Sequence, residues 1–89
     1  MVKDDRYLSV QTMIEANRIQ KFSEVFKYIP KTIVARDTGH NYKAFVGRID
    51  KPGNFTIDDI HKLSALFGAS PAKVFELVSA DYPAKKKKG

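Results

Sequence analysis

Eighty-nine residues, 43% of them hydrophobic, are enough to bury one core and too few for two ordinary domains. The lack of cysteine excludes a disulfide framework and a thiolate metal site, and no apolar run reaches the length of a signal peptide or a membrane span. A cytoplasmic protein held together by side-chain packing is therefore expected. The formal charge of +6 is uneven: Lys85 to Lys88 supply four positives, residues 27–51 carry six basic against two acidic residues, and residues 54–84 carry two against four. A basic middle segment is either a solvated face or a footprint for a polyanion.

In chain order the signals are helical. Ser9 is read as the cap of a first helix with Val10, Met13 and Ile14 inward, and Asn17 as its left-handed stop. Ser23 is read as the cap of a second short helix burying Val25, Phe26 and Ile29. Pro30 ends that helix and opens a third, running to about Asp37 with Ile33 and Val34 inward. Thr38 to Asn41 form a turn, in which Gly39 suits a positive φ, and the fourth helix carries Phe45, Val46 and Ile49 on one face before Pro52 and Gly53 stop it. Thr56 with Asp59 opens the fifth, with Ile57, Ile60, Leu63 and Leu66 at helical spacing and Gly68 as its end. Ser70 and Pro71 start a sixth that buries Val74, Leu77 and Val78. No stretch alternates long enough for a strand. The fold class is all-α, a bundle of five to six short helices in one domain over residues 1–82, followed by a disordered lysine-rich tail at 83–89.

Between Pro30 and Gly53 the chain resembles the phage Cro and repressor family of helix-turn-helix domains. Ala35 and Gly39 have that family's four-residue spacing from small helix residue to turn glycine. The run Val46-Gly47-Arg48-Ile49-Asp50-Lys51-Pro52-Gly53 resembles the close of its recognition helix, with Asp50 for the usual glutamate, and the stretch from Phe55 to Val78 resembles the two helices that follow. The chain departs from the family in having eleven residues rather than ten from Ala35 to Val46, and in having Lys31 where the family's first motif helix commonly starts with glutamine. The resemblance covers roughly residues 30–78 and implies a λ repressor-like fold with the motif at about 30–51. It also implies sequence-specific binding of double-stranded DNA by a homodimer that regulates transcription.

On that reading Asn41, Tyr42, Lys43, Ala44 and Gly47 face the bases, because amide, ammonium and methyl groups match base edges in the major groove. Lys31, Thr32, Arg48 and Lys51 grip phosphates. Gly47 within a helix either lets DNA approach closely or relieves crowding. Tyr42 is either a base-stacking ring or a core aromatic, and Phe45 is read as core. His40 and His61 lie on different elements, so no metal is expected, and Asp58 with Asp59 is explained by the positive end of a helix dipole. With no nucleophile beside a base and no glycine-rich phosphate loop, neither enzyme activity, a cofactor, a small-molecule substrate nor a membrane partner is expected. The alternative from another class is a protein-interaction module on the same scaffold.

Overall fold

The structure is a computed structural model describing residues 4–82; the lysine-rich tail lies outside the described residues. Five α-helices and two 3-10 segments follow in the order α1 (Arg6–Glu15), a 3-10 segment (Phe22–Lys27), α2 (Lys31–Thr38), α3 (Tyr42–Asp50), a 3-10 turn (Pro52–Asn54), α4 (Ile57–Phe67) and α5 (Pro71–Asp81). Among the described residues there is no strand.

The first helix starts earlier than its expected cap. Asp4 accepts the Arg6 backbone N–H through Oδ1 at 2.9 Å and also pairs with the Arg6 guanidinium, so Ser9 lies inside α1 on its exposed side. The longer helix brings Tyr7 onto the inner face with Val10 and Ile14, leaving Met13 only partly buried. The Tyr7 hydroxyl donates to Asp37 Oδ2 at 2.7 Å and ties α1 to α2. Asn17 has φ 60°, the left-handed stop its side chain tolerates.

Ser23 does not cap the next segment either. Its N–H and hydroxyl both donate to the Asp81 carboxylate, at 2.8 and 3.1 Å, while Glu24 accepts the backbone N–H groups of Gln20 and Lys21. The segment is 3-10 rather than α, so residues three apart share a face: Phe22 and Val25 are buried and Phe26 only partly so. Phe22 is the aromatic hub, with ring centroids 5.3 Å from Phe26, 5.2 Å from Phe55 and 6.1 Å from Phe67.

Pro30, with φ −65° and ψ 148°, directly precedes the first residue of α2, but it does not end the element before it, because the 3-10 segment stops at Lys27. Gly39 closes α2 at φ 83°, and the His40 N–H donates back to the Ala35 carbonyl at 3.0 Å, which satisfies a carbonyl otherwise left open at the helix end. Ala35 is buried where α2 meets its neighbours. The Thr56/Asp59 capping box opens α4, Gly68 closes it at φ 65°, and Ser70 caps α5 by accepting the Lys73 N–H. One expected inner residue fails: Ile57, in the first position of α4, is 79% exposed, because Ile60, Leu63 and Phe67 set the buried stripe.

Candidate nucleic-acid interface

α3 is held at both ends and along one face, which leaves its opposite face open. At its start Asn41 accepts the Ala44 N–H through Oδ1 at 2.8 Å. Phe45 is fully buried between the rings of Phe22, Phe26 and Phe55. Ile49 packs against the core from the last turn, and Val46 is half-buried.

Of the residues expected to contact DNA, Asn41, Tyr42, Lys43 and Gly47 are exposed along α3, Lys51 is exposed just beyond its end, and Ala44 is half-buried. Tyr42 is 51% exposed, so it is not a core aromatic. A Cβ placed at Gly47 would meet no atom within 4 Å, so this glycine relieves no crowding within the fold. Thr32 is exposed near the start of α2, while Lys31 is half-buried with its ammonium 5.9 Å from the Phe26 ring centroid.

Arg48 lies differently. Its Nε stands 3.2 Å from Asp59 Oδ2, an ion pair whose N–H is not aligned for a hydrogen bond. The Asp59 side chain is 5% exposed and has a second partner, His40, whose Nε2 lies 2.7 Å from Oδ1. The same carboxylate accepts the Thr56 backbone N–H at 3.0 Å. One buried oxygen pair on α4 thus holds the residue just before α3's cap and a residue of its last turn. Burial alone would raise the Asp59 carboxyl, but the Thr56 N–H and the His40 contact outweigh it and hold the group below the ordinary carboxylate range. Asp58, read together with Asp59 from the sequence, is instead exposed and pairs with Lys62 at 3.4 Å. Lys62 also donates to the Thr38 carbonyl at 3.3 Å, so α4 braces the end of α2 as well.

Sequence reading missed this His40, Asp59 and Arg48 cluster. Positions 40, 48 and 59 share no period, and the one local signal was the capping box, which accounts for only part of the Asp59 carboxylate's hydrogen-bonding capacity.

Among the described residues no three histidine or acidic side chains gather as a metal site, and no helix is long and apolar enough to cross a membrane. No protein-family model, no curated protein and no solved structure matches the chain.

Proposed function

We propose that this chain binds double-stranded DNA in a sequence-specific way, using α2 and α3 as a λ repressor-like helix-turn-helix, and regulates transcription as a homodimer. The observation that carries the reading is the open face of α3. Phe45 anchors the helix from behind, while Asn41, Tyr42, Lys43 and Gly47 stand exposed on a segment where basic residues outnumber acidic ones. A helix fixed this way can enter a major groove, and two copies related by a two-fold axis would offset the small area that one short helix buries. Lys31, Thr32 and Lys51 supply phosphate contacts in this reading. Arg48, half-buried and paired through Nε with Asp59, is given no phosphate in this reading.

A groove on another side favours a second reading, a protein-interaction module without base recognition. Phe55, Ile57, Ile60, Phe75, Val78 and Tyr82 line an apolar depression of about 270 Å³ between α4 and α5. The deciding experiment is selection from a random duplex library at near-physiological salt. It uses the full chain, a version with Lys85 to Lys88 changed to serine, and Lys43→Ala. An enriched motif that survives loss of the tail charge and is relaxed by Lys43→Ala supports the DNA reading. Binding that vanishes with the tail lysines, with no enriched motif, overturns it in favour of the interaction module.

A further inference from the structure

We propose that the open face of α3 selects guanine over adenine, so that its DNA target presents hydrogen-bond acceptors to the first turn of the helix. The inference rests on the DNA reading above and names the base chemistry that reading requires.

Asparagine commonly matches adenine because its oxygen accepts from N6 while its amide donates to N7, side by side in one plane. Asn41 has turned that oxygen back onto its own helix, where it accepts the Ala44 N–H at 2.8 Å. Presenting both amide atoms to a base would uncap α3. What remains to face outward is the Nδ2 donor. Lys43, exposed in the first turn, carries three donors and no acceptor, and it has no ion-pair partner among the described residues. Arg48, the side-chain type best suited to grip guanine, is half-buried with its Nε 3.2 Å from Asp59, which leaves Lys43 as the more open cation on this face.

Guanine offers the major groove two acceptors, N7 and O6, whereas adenine offers one acceptor beside an N6 donor. The Asn41 and Lys43 donors are complementary to the first and would stand opposed to N6–H on the second, while the Tyr42 hydroxyl between them can donate as well as accept and so matches either base. The exposed carboxylate on α3, Asp50, stands about 10 Å along the axis from Lys43, beyond the first turns that reach base edges.

The test is selection from a random duplex library by the full-length protein, followed by binding to the enriched site carrying 7-deazaguanine or 7-deazaadenine, each of which lacks N7. Guanine is expected at the position that Lys43→Ala relaxes, and 7-deazaguanine there should weaken binding roughly tenfold while 7-deazaadenine elsewhere leaves it unchanged. Asn41→Ser keeps a capping oxygen and exchanges the two Nδ2 donors for one shorter hydroxyl that no longer reaches outward as the amide does, so it should stay folded by circular dichroism and lose severalfold in affinity. Enrichment of adenine at the position that either substitution relaxes, or indifference to 7-deazaguanine, overturns the guanine inference while leaving DNA recognition intact. Absence of any enriched motif overturns both.

Discussion

Two glycines eight positions apart do opposite things. Gly39 sits at φ 83°, where a side chain is strained whatever space surrounds it, so Gly39→Ala should cost about 1–2 kcal/mol in urea unfolding. Gly47 is an exposed helix-interior glycine with open space around it, so Gly47→Ala should stabilise the fold by about 0.5–1 kcal/mol. If the same substitution weakens DNA binding, the glycine is there for the ligand; unchanged binding would show that the helix merely tolerates it. Asp59 yields a pH prediction. Its carboxyl lies lower in the folded chain than in the unfolded one, so its contribution is complete above the unfolded carboxylate range, near 4, and is lost as pH falls through the folded value. The urea midpoint should drop on acidification from pH 7 to 3, and Asp59→Asn should lower it at pH 7 and flatten that dependence. Part of the slope should persist, because Asp4 and Glu24 are shifted in the same direction. The role of Gly39 was readable in the sequence because one residue's φ decides it. Of Asp59 only the capping role was readable; its contacts with His40 and Arg48 were not, since three distant positions had to meet.

Among the elements, starts and stops written in local chemistry were legible: Thr56 and Ser70 cap through their hydroxyls, and Gly39, Gly68 and Asn17 take the positive φ that each residue type tolerates. The start of α1 and the segment after it were not, because partners elsewhere in the chain decide them. Ser9 is an adequate cap, but extending the helix back to Arg6 buries Tyr7, and that gain outweighs the local preference. Ser23 likewise gives its hydrogen bonds to Asp81. A carboxylate in the last turn of a helix opposes the dipole there, and the two bonds to Ser23 offset that cost. Asp81→Ala should therefore destabilise the protein by about 1 kcal/mol, even though a dipole argument alone expects a gain. Thermal unfolding of Asp81→Ala beside Ser23→Ala, with the double variant, would show whether the two losses are one and the same. The exposed face of α3 was legible in outline, as was the buried place of Phe45. The inward turn of Arg48 depends on α4 and left no mark on its own neighbourhood.

At the scale of the molecule, the proposed homodimer needs a surface apart from the open α3 face, and the groove, whose lining includes no residue of α3, is one such surface, though it would equally suit another protein partner. Phe75 is 63% exposed on the groove's edge, so Phe75→Ser should leave the circular dichroism spectrum unchanged and shift sedimentation toward the monomer. Retention of the dimer would move the contact elsewhere. The all-α class and the helix order were legible because helical spacing and punctuation recur throughout the chain. The core's centre was not, because Phe22 comes from a 3-10 segment whose period of three hides it from a search at 3.6. That placement bears on the stretch carrying the family resemblance, roughly residues 30–78. Phe45, Phe55 and Phe67 within it all pack on a ring supplied from outside it. A peptide of residues 30–82 would lose the Phe22 ring together with the buried side chains of Tyr7, Val10, Ile14, Ile19, Val25 and Ile29, and should be largely unstructured alone. Mixed with a second peptide spanning residues 4–29, it should regain helicity at a one-to-one ratio, as two halves of a single cooperative unit.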